Sequence, residues 1–600
     1  MSDDLSDVQL HFVNSVEMAN KLMAWLGERR EGSVAVDTET TGLSVQTDYV
    51  RLAQLGDGMQ GWAIPWERWG GVFEEAMKKY EGPVVGHNLP QFDAPMLRKE
   101  GIDIPRHRSS DTRLMSHVIE PTYSTALKNL CARHVDRRAA VMQSQLHTQL
   151  VDGKSKEGWT WATVPVDYQP YWAYGALDTV LTARLEPILA DKVRAAGAWD
   201  AYQLELAAAY VVETMESNGL AVDRPYAAAA HKSFTEQAEE MAMTCYSQYG
   251  FKPTQNAAII QYLITQGYEF TKGTASGAIS LDKDVLAGVS HPLAALVLSH
   301  RQLSKLSTTY IRHFLELTSD IDPILHYRIN SVGARTGRMT MQGPSLHNLP
   351  RHSETNQNAI TVRNCLIPRS PDSTLLMIDF DQIEMRILTH LTQDPAMMAA
   401  VNDPAVDIFT SMARMLHHDS TIQKKDFRRQ TMKNAAYAIN YGAGAEKFAT
   451  TAGIPASEGR EMYNQVGLTF PGIQQMSDMV RNVALSRLRD DGVAYVRSPL
   501  TGRIHPAEDD KLYTLVNYLI QGVAGEILKI KLVELDNAGF GPYVCLPVHD
   551  EVIFDAPREG IADFTRAALA VLNDSSMLSV PITSAASLGD RWGEKQDYAP

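Results

Sequence analysis

Two hydrophobic periods alternate along this chain, and the switches between them outline its organisation. The segment SVAVDTETTGL reads as a strand running into a turn, and VVGHNLPQFDAPMLRKEG as a strand followed by a helix. WDAYQLELAAAYVVETMESNGL, from Trp199 to Leu220, reads as a long amphipathic helix closed by Gly219. A first domain boundary therefore falls near residue 195. From there to about residue 325 the pattern is mainly helical and includes SHRQLSKLSTTYIRHFLEL. SVGARTGRMTMQGPSLHNLP, rich in Gly, Thr and Arg, reads as loops and short strands. Residues 375–380, LLMIDF, form a buried strand by composition. A helix-rich block covers about 400–490, and YVCLPVHDEVIFDA makes a strand–turn–strand unit near the end.

Six hundred residues imply several cores, and 44% hydrophobic with 21% charged residues is an ordinary globular mixture. No run approaches the length of a membrane span, and the acidic start MSDDLSDVQL is not a secretory signal. Cys131, Cys245, Cys365 and Cys545 make no C-x-x-C pair, so neither zinc nor a disulfide framework is indicated, and a reducing cytoplasm is expected. The net charge of −15 argues against a simple nucleic-acid-binding module. It argues less against an enzyme that handles phosphates with divalent metals, because such an enzyme needs carboxylates where the metals sit.

Three segments in the second half carry chemistry. In IDFDQIEMRILTHL, Asp379 ends an apolar strand, and Asp381 with Glu384 fits a capping box on the following helix. A surface aspartate before a capped helix is the plain alternative. In PVHDEVIFD, His549, Asp550 and Glu551 sit at a tight turn, which either binds a cation or is simply solvated. In KKDFRRQTMKNAAYAINYGAG, Arg429, Lys433, Tyr437 and Tyr441 stand four apart and form one helical ridge, with Gly442 and Gly444 ending the helix. Two cations followed by two rings suit a nucleoside triphosphate; a solvated basic turn followed by core aromatics is the alternative. Together the three segments offer the parts of a two-metal phosphoryl transfer.

The first third offers a second set of acids. Asp37 and Glu39 are two apart on a strand end and so share a face. GHNLPQFD supplies Asp93, and YGALDTVL supplies Tyr174 and Asp178 one helical turn apart. Any one of these acids reads as a surface residue, but four from separate segments can hold two metals while the tyrosine hydroxyl orients a water.

The three later segments resemble motifs A, B and C of the family A DNA polymerases, the bacterial DNA polymerase I type. RQLSKLSTTY, ending at Tyr310, is similar to that family's thumb-helix signature. TGRMTMQGPSLHNLPR is similar to its primer-template segment, with Arg338 and Asn348 at matching positions, and VNYLIQGVAGEILK to the helix before motif C, with Asn517 and Gln521 as DNA contacts. LGDRWGE is also family-like. The early acids resemble the DEDDy exonucleases, in which Leu43 and Asn88 match positions that hold a single-stranded 3′ end.

The resemblance implies an α/β multidomain fold: an RNase H-like 3′–5′ exonuclease domain over 1–195, then a right-hand polymerase over 196–600. Within the latter it implies a thumb at about 225–325, a palm at about 326–400 and 515–600, and fingers at about 401–514. It implies template-directed DNA synthesis with proofreading. Asp379, Asp550 and the Phe380 backbone become polymerase metal ligands, and Asp37, Glu39, Asp93 and Asp178 exonuclease ligands. Two Mg2+ are expected at each site, with Mn2+ as a substitute. Arg429 and Lys433 become triphosphate ligands, and Lys433 the acid for the leaving pyrophosphate. Glu384 becomes the steric gate against a ribose 2′-hydroxyl, Tyr437 the determinant of dideoxynucleotide acceptance and Tyr441 a template-stacking ring. Gln382 and His549 join the nucleotide-binding set, His549 at the primer terminus.

Two departures stand out. Asp381 replaces a small hydroxyl residue, and Tyr513 takes a position that is Arg in the bacterial enzymes. The chain opens directly at the exonuclease, so the 5′-nuclease domain of many repair enzymes is not expected and a phage replicative enzyme is. With no long thumb insertion, a thioredoxin-type clamp is not expected either. The expected partners are primer-template DNA, dNTPs and replisome proteins such as a helicase–primase and a single-strand binding protein. The enzyme is expected to act as a monomer in the host cytoplasm. A nuclease with an inert polymerase half, a silent DNA-binding scaffold and a single-subunit RNA polymerase are the alternatives. Intact Asp379, Lys433 and Asp550 oppose the first, a primer-extension assay with magnesium separates the second, and Glu384 with the exonuclease acids opposes the third.

Overall fold

The computed structural model describes residues 7–600 apart from 30–31, 138–157, 275–276, 350–357, 404–405 and 441–443. Its first part is built on a six-stranded sheet in the order Gln9–Phe12, Gln60–Pro65, Val50–Gly56, Val34–Thr40, Val84–Gly86, Ser109–Asp111. Val34–Thr40 lies inside this sheet, antiparallel to Val50–Gly56 and parallel to Val84–Gly86. Val34, Ala35 and Val36 are buried, and only then do the acids begin. The helix Gln169–Ala195 crosses the sheet at close range. It can do so because Gly56 and Gly61 lack side chains: a Cβ on either would strike Thr179 or the Ala176 carbonyl. That close approach brings Asp178 down to the sheet.

The second part is organised around a five-stranded antiparallel sheet. Its order is Val544–Val548, Glu551–Pro557, Ser373–Phe380, Ser584–Gly589, Gln596–Tyr598. Ser373–Phe380 is central, which explains its unbroken apolar run, Leu375 to Ile378 being buried. The helix Leu515–Asn537 belongs to the same core and is buried along most of its length. Arg224–Tyr249 packs with Pro292–Lys305, which continues through a π-helical stretch, Leu306–Ile311. A small separate core around Leu263, Leu293 and Val297 caps that pair. A third group of helices includes Ile408–His417, Phe427–Asn440, Ala456–Thr469 and Pro471–Asp491. The four cysteines are buried free thiols. Among the described residues no helix is long and apolar enough to cross a membrane.

The helix predicted from Trp199 runs Trp199–Asn218, and Gly219 at φ 59° ends it. It is not amphipathic in the expected sense. Tyr202, Leu206 and Tyr210 pack into the first core, while Val211, Val212 and Met215 pack into the second. Its polar Glu205 is fully buried. The helix therefore has no solvent face for much of its length, because both bodies lie against it.

Candidate active sites

Asp379 is the penultimate residue of its strand and pairs in register with Glu551. The hairpin between Val548 and Glu551 has only two loop residues, His549 and Asp550. His549 adopts φ 59°, a left-handed backbone that histidine tolerates better than most residues. The hairpin tip is tied across to the central strand, where the Phe380 amide donates to the Asp550 carbonyl at 3.0 Å. Two acids 171 positions apart in the chain (550 − 379) thus come to adjacent strand ends. Glu551 is buried and neutralised by an ion pair with Lys595.

Beside these strand ends lies a cavity of about 430 Å³, lined in part by Arg338, Glu384, Lys433, Tyr437, His549 and Asp550. Phe380 and Gln382 also line it. Lys433 and Tyr437 do share a helical face, on Phe427–Asn440. Under that face sits Phe409 of the neighbouring helix Ile408–His417. Its ring is 5.9 Å from that of Tyr437 and 6.0 Å from each of the Arg429 and Lys433 cationic groups. Arg429 itself is bound to Asp407. Neither Asp407 nor Phe409 was expected from the sequence; Asp407 had only the faint signal of an acid just before an apolar run. His347 is a further addition. Its Nε2 lies 2.6 Å from the Pro547 carbonyl and its ring 5.8 Å from that of His549.

The motif A capping box does not form. The helix is Ile383–Thr392, and its cap position is Gln382, whose left-handed φ of 52° turns the chain away. Asp381 instead accepts a hydrogen bond from the Thr583 hydroxyl at 3.0 Å. Glu384 instead pairs with Arg338. Arg338 is half-buried, Asn348 exposed, Asn517 buried and Gln521 half-buried. Tyr513 is exposed. Tyr441 and Gly442 lie outside the described residues, and Gly444 caps the start of the next helix, Ala445–Ala452, rather than ending the ridge helix.

In the first body the sequence-predicted acids do gather. Asp37 and Glu39 share one face of Val34–Thr40. Asp93 opens the helix Asp93–Lys99 and accepts from the Thr38 hydroxyl at 2.7 Å. Asp178 and Tyr174 come from Gln169–Ala195, and the Tyr174 hydroxyl hydrogen-bonds to Asp178. Burial raises the pKa of Asp37, Glu39 and Asp93, and neighbouring carboxylates raise it further. Burial raises Asp178 to about 7, against the pull of Lys128 and Tyr174.

Lys128 is new to the picture. Its ammonium lies 4.9 Å from the centre of the Tyr174 ring, and Trp161 packs 5.8 Å from the same ring. Leu43 is 65% exposed. Asn88 sits at φ 74° and accepts from Arg113 at 2.8 Å. A groove of about 780 Å³ lined by Asn88, Arg113, Arg328, Asn330 and Gln342 runs between the two bodies.

The donor chemistry suits hard divalent cations. The Asp178 Oδ1 is buried and finds no hydrogen-bond donor among the described residues. Buried acids that repel one another are stabilised by a shared cation. No three acid, histidine or cysteine side chains close into a preformed cage among the described residues. Magnesium does not need one, since it is commonly held by one or two carboxylates with waters and substrate phosphates.

The profile for DNA polymerase family A matches residues 224–594, more than half of the chain. The chain belongs to DNA polymerase family A. A 3′–5′ exonuclease profile matches residues 12–194, so this family A polymerase carries an exonuclease domain ahead of its polymerase region. It is 27% identical to the DNA polymerase of Mycobacterium phage D29 over 94% of this chain and 93% of that one. It is 26% identical to that of Mycobacterium phage L5, over 93% of each. The DNA polymerase I of Chloroflexus aurantiacus is 28% identical over 74% of this chain but only 49% of its own length. The phage relatives support a role in DNA replication. The fold matches the POL domain of Pol1 from M. smegmatis, solved in complex with DNA primer-template and dNTP. The TM-score is 0.79 at 21% identity, over 98% of this chain and 99% of that one.

Proposed function

We propose that residues 1–195 are the proofreading exonuclease and residues 196–600 the polymerase, in the replication of a phage genome. The polymerase divides into a thumb at about 225–325, a palm at about 326–400 and 515–600, and fingers at about 401–514. Primer-template DNA and dNTPs are the substrates, and a helicase–primase and a single-strand binding protein are the natural co-workers. The observation that carries this reading is the Phe380–Asp550 backbone bond. It joins two acid-bearing strand ends beside the cavity that Lys433 and Tyr437 also line.

Asp379, Asp550 and the Phe380 backbone would hold a pair of magnesium ions in the polymerase site, and Asp37, Glu39, Asp93 and Asp178 a pair in the exonuclease site. Such ions, when bound, supply charge stabilisation to the reacting phosphate and its attacking oxygen. The rest of the work falls to the chain itself. Lys433 and Arg429 grip phosphate oxygens, and Lys433 gives a proton to the leaving pyrophosphate. Glu384, held by Arg338, fills the space that a 2′-hydroxyl would need. Tyr437 meets the sugar, Gln382 the incoming nucleotide, Tyr441 the template and His549 the primer terminus. Arg338, Asn348, Asn517 and Gln521 contact the duplex. In the exonuclease, the Tyr174 hydroxyl orients the attacking water while Leu43 and Asn88 hold the frayed end. The groove between the two bodies is where that single strand would lie.

The test uses the full chain with magnesium. Asp550→Ala should abolish primer extension with four dNTPs and leave single-strand degradation intact. The double change Asp37→Ala, Glu39→Ala should do the reverse. Loss of both activities in either variant would refute two separate sites.

A further inference from the structure

Four buried charges meet where the two bodies join, and none belongs to either acid cluster. Glu205 of the shared helix is 0% exposed, Arg503 and Lys529 1%, and Glu526 2%. Lys529 Nζ lies 2.6 Å from both oxygens of Glu205, and Arg503 shares the Oε1 of that carboxylate. Glu526 lies 3.5 Å from the Arg503 Nε and accepts from the Ser498 and Thr501 hydroxyls at 2.5 and 2.6 Å. Two acids and two bases balance, so the cluster is neutral as a whole. Burial of this kind is weak evidence for stability, because hydrophobic replacements of similar volume often do as well. A geometric role is the more economical reason for it.

That role is visible in what the cluster holds. The third contact of Lys529 Nζ is the Gly337 carbonyl, at 2.6 Å. Gly337 stands at φ 81°, and a Cβ there would lie 2.8 Å from the Arg503 guanidinium carbon. The turn is closed by Gly337 N to Ala334 O at 2.8 Å and by Ala334 N to Arg338 O at 3.1 Å. From the exonuclease side, His117 sits 3.3 Å from the Arg503 Nη1 and hydrogen-bonds to the backbone of Ala334. The next residue is Arg338, and its guanidinium holds Glu384. The chain of contacts therefore runs from Glu205 through Lys529 and the Gly337 carbonyl to Arg338, and from there to the gate.

We propose that Glu205, Arg503 and Lys529 are positioning residues for sugar discrimination: they fix the turn Ala334–Arg338, which sets Arg338 and, through it, Glu384. This rests on the reading of Glu384 as the gate. The prediction is a loss of geometry rather than of fold. A displacement of about 1 Å at a reacting centre can cost about a hundredfold in rate.

The experiment measures kcat and KM for a dNTP and for the matching rNTP in the full chain, well below each variant's melting midpoint. Lys529→Met and Gly337→Ala should each raise the dNTP KM and lower the preference for dNTP over rNTP about tenfold. Lys529→Arg, which keeps a donor, should recover part of the preference. The control is Lys531→Met. Lys531 is equally buried on the same helix but pairs with Glu534 and Asp574, away from the turn. It should lower the melting midpoint and leave discrimination within about twofold. Unchanged discrimination in both Lys529→Met and Gly337→Ala would overturn the proposal, as would an equal loss in Lys531→Met. If Lys529→Met fails to fold, Gly337→Ala, which removes no charge, decides. Glu384→Ala separates the two readings: if it leaves discrimination unchanged, the gate assignment fails, and not merely its positioning.

Discussion

Arg429 is held by Asp407: its Nε lies 3.1 Å from each carboxylate oxygen and its Nη2 2.9 Å from Oδ1. Asp407 also caps the helix Ile408–His417 by accepting from Thr410 N at 3.2 Å. Burial raises the pKa of Asp407, but Arg429 and Thr410 more than reverse this and hold it below the usual carboxylate range. A triphosphate must compete with this carboxylate for the arginine. Asp407→Asn keeps a capping side chain and gives up the charge. The dNTP KM should fall about threefold, as expected for releasing a pair worth under about 1 kcal/mol. A KM that rises would show that Asp407 aims Arg429 rather than withholding it.

Tyr437→Phe keeps the ring over Phe409 and removes only the hydroxyl. Dideoxynucleotide incorporation should drop about tenfold relative to deoxynucleotide, the worth of one hydrogen bond. A terminator ratio equal to that of the parent enzyme refutes the assignment.

Glu216, in the groove between the two bodies, is pushed by burial to about 8 from an ordinary 4.5, although the Ile329 amide donates to it. The folded state therefore keeps a proton that the unfolded state has lost between these values. Stability contributed by the protonated acid is full below about 4.5 and is lost as pH rises through about 8. Glu216→Gln should flatten this slope and raise the melting midpoint above pH 8 relative to the parent. Parallel melting curves across pH 5–9 would sink the idea.

The exonuclease acids should report cation binding without any turnover. A ligand that binds only the folded state at about a hundred times its Kd adds about 2.7 kcal/mol. Magnesium should therefore raise the melting transition of the parent chain by several degrees, and Asp178→Asn should lose part of that rise. A cation-free melting point higher in Asp178→Asn than in the parent would reflect removal of a buried carboxylate that lacks a donor on Oδ1. An identical magnesium shift in both proteins would exclude Asp178 as a ligand.

The parts of the site legible in the sequence are those whose chemistry is local. Asp379 at a strand end, Asp550 at a two-residue turn and Asp37 with Glu39 on one strand face need only a few neighbouring residues to be read. Lys433 and Tyr437 follow from helical spacing alone. Phe409, Asp407, Lys128 and Trp161 could not be read this way, since each reaches the site from a separate segment through tertiary packing. The capping box failed for a different reason: the left-handed backbone of Gln382 leaves no mark in composition. The role of Glu205 could not be read either, because its partners, Arg503 and Lys529, lie 298 and 324 positions away.

The helix Trp199–Asn218 has a bearing on how such a gene can be rearranged. Its first half closes one core and its second half the other, and the first half is tied to its own sheet: the Asp111 amide donates to the Tyr202 hydroxyl at 3.0 Å, and the Tyr210 hydroxyl donates to the Ser109 hydroxyl at 2.7 Å. A cut near residue 195 would leave the downstream piece with a bare apolar stripe and the upstream piece with an open core. Recombination that exchanges one activity for another would keep both cores closed only by preserving the contacts of this helix on both sides.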